Sequence, residues 1–516
     1  MSKRSQERHW LRFLCVLCCG LSMSLLCSVA SAQSFFDYRG EIRSDLRASI
    51  PGNDAPDDAP DYAFERLDNT ARLTMALGWG AVSAIADLSV VYSGRSTVDR
   101  FDSLLSRSEV ESYYFESESL YLEIADFIFS GMDLRIGRQI ADWGSGDRFN
   151  PTSVINGYDL EDPIDFGRRV ANEMVSLSIN PGWMIEGEET PILDELNLKL
   201  IAVPVFRSGL IPKSALHAFS EPDQFRRFVR AQLLNNLVDV QKVFLKKGGG
   251  VEYDVRVVEP EMTLENTQLG ARLGVSILGV DVSAMYYYGY DHNHQPGDVD
   301  VSAIRNGAVF PLPDLNDIEG TLALLNTYSD GALEGLVGYT DVLLVYPRVH
   351  VVGGDFATSL DFLGGMGLWG EFAMTFHDGV ALDVQINDQL FRETQLKPGS
   401  FWKLTAGLDY TFTKWWYVNV QYLHGFVDEF GTEAIGDYIV AGSDFKTFDE
   451  QILLRLFGIL DISGLSFIAF PSLSFKFWQN TELVAGALLH GGEPDSKFGN
   501  RTAGPNTVFL QGRYSF

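Results

Sequence analysis

Along most of the chain apolar residues fall on every second position, the period of a strand with two unlike faces and not the 3.6 of a helix. In FWKLTAGLDYTF, Trp402, Leu404, Ala406, Leu408, Tyr410 and Phe412 share one face, while Lys403, Thr405, Gly407, Asp409 and Thr411 share the other. After a tight turn WYVNVQY sets Trp416, Val418, Val420 and Tyr422 against Tyr417, Asn419 and Gln421, which makes a hairpin. QLGARLGVSI repeats the pattern. Leu269, Ala271, Leu273, Val275 and Ile277 alternate with Gln268, Gly270, Arg272, Gly274 and Ser276, and beyond Leu278-Gly279 the apolar face continues through Val280, Val282, Ala284, Tyr286 and Tyr288.

Many of these segments run to about the 9 to 11 residues that a tilted strand needs to cross a bilayer, longer than the usual 5 or 6 of a soluble sandwich. Their polar faces carry Arg272, Glu371, Lys403 and Asp409, which a dry core would not tolerate in number but a water-filled lumen would. Tight turns alternate with long polar segments, as in outer-membrane barrels. The pattern therefore predicts an all-β fold, a transmembrane antiparallel up-and-down β-barrel of about 16 strands within a range of 14 to 18. Both chain ends should face the same side, which requires an even count. The stretch between Gln451 and Gln479 does not give consistent parity. In the closing NTVFLQGRYSF, Val508, Leu510, Gly512, Tyr514 and Phe516 share a face. An amphipathic last strand with Tyr514 and a terminal Phe516 resembles the signal read by the outer-membrane insertion machinery.

One insertion, over residues 206–262, breaks the strand period. Phe225, Phe228, Val229, Leu233, Leu237, Val240 and Phe244 recur at helical spacing before a stop at Gly248. Two readings stay open: a helical hairpin packed on an outer loop, or a gate or plug in the mouth. A second short helix is predicted from Ile318.

The N-terminal segment runs basic, apolar, then small. Lys3, Arg4, Arg8 and Arg12 precede the apolar run Leu14 to Ala30, and Ala30-Ser31-Ala32 precedes Gln33. This order predicts a signal peptide over 1–32, cleaved between Ala32 and Gln33, ahead of a barrel over 33–516. All 4 cysteines, Cys15, Cys18, Cys19 and Cys27, lie inside the leader. The barrel segment thus has neither disulfides nor a thiolate metal site. Aromatic residues make up 12%, and the formal charge is -29, a sign and size that argue against nucleic-acid binding.

Chemistry has few footholds. His292 and His294 beside Asp291 form a weak metal set, no serine sits in a GxSxG elbow, and the acidic stretch NDAPDDAPDY lacks calcium-loop spacing. No cofactor, metal site or catalytic residue is expected. The segment RIGRQIADWGSGDRFNPTS is more informative. Alternation with Leu134 and Ile136 turns Arg135 and Gln139 toward the lumen. The following charges, Asp142, Asp147, Arg148, Asp165, Arg168 and Arg169, belong to a loop that folds inward. Either they narrow the passage and set a transverse field, or they form a structural salt-bridge network.

Arg135, Gly137, Arg138, Gln139, Trp143, Gly144, Asn150 and Pro151 resemble the R-x-G-R-Q, W-G, N-P hallmark of a family of porin-like Gram-negative outer-membrane barrels grouped as a domain of unknown function. ENTQLGARLG and the following GVDVSAMYYYGYDH resemble a second block of that family. The resemblance implies a channel in contact with outer-membrane lipid and lipopolysaccharide, working with an inner-membrane exporter and a periplasmic lipoprotein. Passage of small solutes through a charged constriction is the leading function. Export or uptake of a hydrophobic compound or lipid stands beside it, and a barrel hydrolase or a scaffold forms a separate class.

Overall fold

The computed structural model describes residues 34–50, 63–93, 113–162, 164–181, 193–210, 231–305, 308–309, 317–386, 389–493, 496–499 and 506–516. The segment expected to be a leader, with Ala32 and Gln33, lies outside them. Strands are numbered along the chain, beginning with β1 (Ser34–Ile50), β2 (Ala63–Trp79), β3 (Val82–Tyr92), β4 (Tyr113–Ile124), β5 (Met132–Gln139) and β6 (Asn172–Ile179). Next come β7 (Leu193–Val203), β8 (Gly250–Val258), β9 (Gln268–Ile277), β10 (Val280–Tyr290), β11 (Gln295–Arg305) and β12 (Ala308–Val309). They are followed by β13 (Leu336–Val345), β14 (Arg348–Leu360), β15 (Met366–His377), β16 (Val380–Ile386), β17 (Gln389–Leu396) and β18 (Gly399–Thr413). The last are β19 (Trp416–His424), β20 (Asp437–Thr447), β21 (Ile452–Asp461), β22 (Ser466–Trp478), β23 (Thr481–Gly491) and β24 (Asn506–Ser515). Helix α1 spans Gln232–Lys246 and α2 spans Ile318–Thr327.

Eighteen strands form one sheet: β1 to β7, β9, β10, β14, β15 and β18 to β24, each antiparallel to the next. β24 pairs back onto β1 from Glu41↔Ser515 to Ile50↔Asn506, so the sheet is a closed up-and-down barrel with no free edge. Phe516 completes the seam, its N–H donating to Gly40 O at 2.9 Å and its carbonyl accepting from Gly40 N at 2.8 Å. The number is 18 and not about 16. β20 carries little strand contrast in the sequence, because its outward face (Ile439, Ala441, Ser443, Phe445) mixes small and polar residues with apolar ones. The parity of the 451–479 region resolves as well. β21 and β22 are joined by Ile462 to Leu465 at the end of the barrel where every other connection is long. Asp461 closes that turn, accepting from Ser463 N at 3.1 Å and Gly464 N at 2.9 Å.

Both ends of the described chain and the other short turns lie at the opposite end. Outward-facing Leu73, Leu122, Leu273, Leu408, Leu456 and Leu510 are exposed in a band around the middle. Phe35, Trp79, Phe412, Trp415, Trp478 and Phe516 ring the turn end, and Tyr92, Tyr113, Phe115, Trp402 and Phe467 the loop end. An apolar belt between two aromatic girdles is the surface that a lipid bilayer demands.

Of the helical insertion, residues 231–262 are described and supply α1 and β8 to a separate unit, while Phe225, Phe228 and Val229 lie outside the described residues. Three long excursions, between β7 and β9, β10 and β14, and β15 and β18, supply a six-stranded mixed sheet ordered β17-β16-β11-β13-β8, with β12 beside β11. β11 runs parallel to β16, and β13 parallel to β8. On this sheet α1 buries Leu234, Leu237, Val238 and Phe244 against Val255, Val299, Val301, Val342, Leu382 and Val384. Its first turn is held from another excursion, since the Glu393 carboxylate accepts from Gln232 N at 2.9 Å and Leu233 N at 2.8 Å. The unit has its own core at the loop end of the barrel.

Side chains facing lipid and those facing the interior should respond oppositely to charge. Leu456→Arg, at the middle of the outer belt, should cost about 2–4 kcal/mol, whereas Ser472→Arg on the inner face should stay within about 0.5 kcal/mol. Reversible urea unfolding in phospholipid vesicles measures both, and equal losses would contradict the assigned faces.

Candidate functional site

β5 delivers the chain into the barrel. Gly137 sits at φ +132°, and a Cβ there would stand 2.4 Å from Leu120 O, so only glycine lets β5 lie this close to β4. Arg135 points inward, pairs with Glu123 at 2.9 Å and lies 5.4 Å from the centre of the Tyr121 ring. Gln139 also points inward but does not reach lumenal water. It is buried, with its amide donating to Met174 O at 3.2 Å and its carbonyl accepting from Ser176 Oγ at 3.0 Å.

Beyond β5, residues 140–171 cross the interior as a beam pinned at both walls before returning to β6. The far anchor is Glu371 on β15. Its buried carboxylate accepts from Gly146 N, from Asn150 Nδ2 at 2.8 Å and from Thr152 Oγ1 at 2.8 Å. Gly144, at φ +100°, has to be glycine, because a Cβ would stand 2.5 Å from both carboxylate oxygens. Thr405 on β18 adds a bond from Oγ1 to Phe149 O at 2.9 Å. The near anchor is Arg47 on β1, which grips Asp162 through two bonds of 2.6 and 2.7 Å while also pairing with Asp45. Bidentate, buried and charge-assisted contacts of this kind fix geometry. Arg168 reaches Glu116 on β4 at 3.1 Å and Asp159 at 3.5 Å. Arg169 holds the beam's own backbone, donating to Ser153 O at 2.9 Å and Asn156 O at 3.0 Å with its guanidinium 3.5 Å over the Tyr158 ring.

The beam divides the interior. On one side Trp143 and Ile155 pack with Met174, Val203, Met285, Tyr287, Val351 and Phe401 into a dry core that fills the arc from β6 to β18. On the other side a cavity of about 1120 Å³ remains between the beam and the wall from β19 through β24 to β1. Asp147, Arg148 and Asp165 line it from the beam, facing Asp444, Arg455, Glu482, Arg513 and Arg43 on the wall. Asp147 and Arg148 are exposed. Asp165 stands 3.6 Å from Arg43. At the loop end Lys497 ties Asp428 at 2.6 Å and Glu429 at 3.0 Å, joining the β23–β24 connection to the β19–β20 connection.

The charges singled out in the sequence thus part company. Asp147, Arg148 and Asp165 border the cavity, Arg168 and Arg169 brace the beam, Arg135 pairs on the wall, and Asp142 is exposed but lines neither of the two described cavities. Residues 231–262 do not line the large cavity either. Tyr514 and Phe516 are exposed on the lipid face of β24. Sequence reading placed Glu371 on a polar strand face without giving it an anchoring role, and passed over Arg47 and Asp162. The one available signal was a lone carboxylate among small and apolar residues in MGLWGEFAMTFH.

No family model matches the chain, and no curated protein matches it. Among solved structures it is similar to OccAB3 of Acinetobacter baumannii, at 8% identity over 93% of this chain and 99% of that one with a TM-score of 0.46. It is similar also to OccK9 (OpdG) of Pseudomonas aeruginosa, at 9% identity, 93% and 98% coverage and a TM-score of 0.45. OmpF of Salmonella typhi, in a complex with daunomycin, aligns at 8% identity, 93% and 97% coverage and a TM-score of 0.35. The barrel itself stands on the closed ring of strand pairs in this chain.

Two measurements probe the beam. Removing the far anchor with Glu371→Ala strands the Gly146 and Thr152 donors, a loss of about 1–3 kcal/mol. Their amides should exchange with solvent at least about tenfold faster, while amides of β21 to β23 keep their rates. The second concerns pH. Burial, reinforced by the Arg169 guanidinium, lowers the His292 imidazole to about 4, against an ordinary value of about 6.5 in an unfolded chain. Between these values the opened state binds the extra proton, so His292 favours the packed beam fully above about pH 6.5 and loses that contribution as pH falls toward 4. Protection of the Ile155 and Gly157 amides, corrected for intrinsic exchange, should decline across this window and decline less in His292→Gln. A flat profile in the native chain would contradict a buried neutral ring.

Proposed function

We propose that this chain is an outer-membrane channel of porin type, with its short turns in the periplasm and its long loops outside, passing small solutes beside the inward beam. The observation that carries this reading is the cavity of about 1120 Å³ left open along one wall and bordered by charges of both signs. Barrels of 16 to 18 strands are wide enough to keep an aqueous passage, and here the beam narrows that passage to one half of the lumen. Opposed charges across a constriction rank solutes by charge and orientation. Asp147 and Arg148 on the beam, with Asp444 and Arg455 on the wall, are the residues assigned that role. The reading gives the chain no bond-making chemistry. Its partners are outer-membrane lipid, lipopolysaccharide around the loop end, and the insertion machinery that would read the strand ending in Tyr514 and Phe516. An inner-membrane exporter and a periplasmic lipoprotein follow from the family resemblance alone.

Refolded protein in planar bilayers should conduct potassium chloride in discrete steps. Asp147→Ala should shift the reversal potential in a salt gradient toward anions, and Arg148→Ala should shift it toward cations. Bilayers that stay silent at every voltage would overturn the channel reading.

A further inference from the structure

The lumenal face of a barrel channel is ordinarily polar, yet the wall from β21 to β24 is not. At inward positions toward the loop end stand Phe457, Ile468, Phe470 and Phe509, with Ile164 and Phe166 of the beam lining the same cavity. Phe457 lies opposite Phe470 in the β21–β22 register. The Phe470 and Phe509 rings stack at 5.5 Å and 16°. Phe457, Ile468 and Phe470 are only half-buried, with the cavity in front of them.

Toward the turn end the same strands change character. Arg455 pairs with Asp444 at 2.6 Å, and Arg513 pairs with Glu482 and stands 3.7 Å from Glu41, so the wall charges there neutralise one another. Across from them the beam offers Asp147 and Arg148, adjacent, opposite in sign, exposed, and in no ion pair among the described residues.

We propose that this half of the lumen is a seat for a zwitterionic amphiphile. An aromatic or branched aliphatic body lies on the Phe457, Phe470 and Phe509 wall, and a compact head of both charges meets Asp147 and Arg148. The inference rests on the channel reading and gives that passage a solute class. The cavity, at about 1120 Å³ slightly above the roughly 300–1,000 Å³ of sites for small organic ligands, has room for such a molecule and shares their combination of apolar walls with a few placed polar groups. A solute presenting apolar surface gains at the wall what a purely polar solute of the same charge and size does not. The passage then sorts by apolar surface where a wholly polar lumen would sort by charge and size.

Phenylalanine and glutamine, zwitterions of similar length, separate these cases. Influx of each at low concentration into proteoliposomes is measured alongside potassium chloride conductance of the same preparation. Native protein should favour phenylalanine by about tenfold, the factor expected for roughly 1.4 kcal/mol of added apolar contact. The F470S/F509S pair should bring the ratio near one with conductance kept, and F470L/F509L should retain the preference, which excludes misfolding as the cause. A native ratio near one, or a ratio unmoved in F470S/F509S, with conductance intact, overturns the seat and leaves the channel reading in place. No conductance and no influx of either solute overturns both.

Discussion

Inside a bilayer no backbone N–H or carbonyl finds water, so a sheet can cross only if its first and last strands find each other. The seam between β1 and β24, finished by the paired Gly40 and Phe516, is where this chain meets that demand. Much follows from closing the ring at eighteen strands. The ring is too wide for wall side chains to fill, and so the interior must be occupied by something else or stay wet. Both outcomes occur, on opposite sides of one loop.

That loop is held by charges kept away from water. A buried carboxylate is costly unless its lone pairs are used, and Glu371 uses them on donors from Gly146, Asn150 and Thr152. At the near wall the Arg47 guanidinium donates to the carboxylates of Asp45 and Asp162. Neither contact is good evidence of large net stabilisation. Each is good evidence of position, because displacing the beam would leave a charge unpaired in a dry place. Trp143 then fills the space behind the beam, and the charges with no bracing task, Asp147 and Arg148, remain exposed to the cavity.

The barrel was legible because its evidence is local: each strand carries its own alternation, and the outer belt repeats it around the ring. Legibility failed where local contrast is weak, as in β20, whose outward face includes Ala441 and Ser443. It failed again where pairing is remote. Nothing within β8, β11 or β16 announces that they share a sheet, since their partners belong to separate excursions. The candidate site divides in the same way. Alternation turns Arg135 and Gln139 inward, but whether an inward residue meets water or packing depends on what the beam places over it. Gln139 ended buried and Arg135, on the same strand face, exposed for that reason. Glu371 was legible as a polar-face residue but not as an anchor, because an anchor is defined by its partners, which lie more than two hundred positions earlier in the chain.

The three-excursion unit has a bearing on assembly that its architecture alone does not announce. Its sheet is built from pieces that come together only after β7, β9, β10, β14, β15 and β18 are neighbours, so its contacts are of high order and form late. Until then the apolar strands of β11, β13 and β16 are exposed edges in an unfinished protein. Once joined, they bridge a continuous arc of the wall from above, so that spreading any two strands of that arc strains a core several strands away. The unit therefore links three excursions that leave and re-enter the wall along one continuous arc.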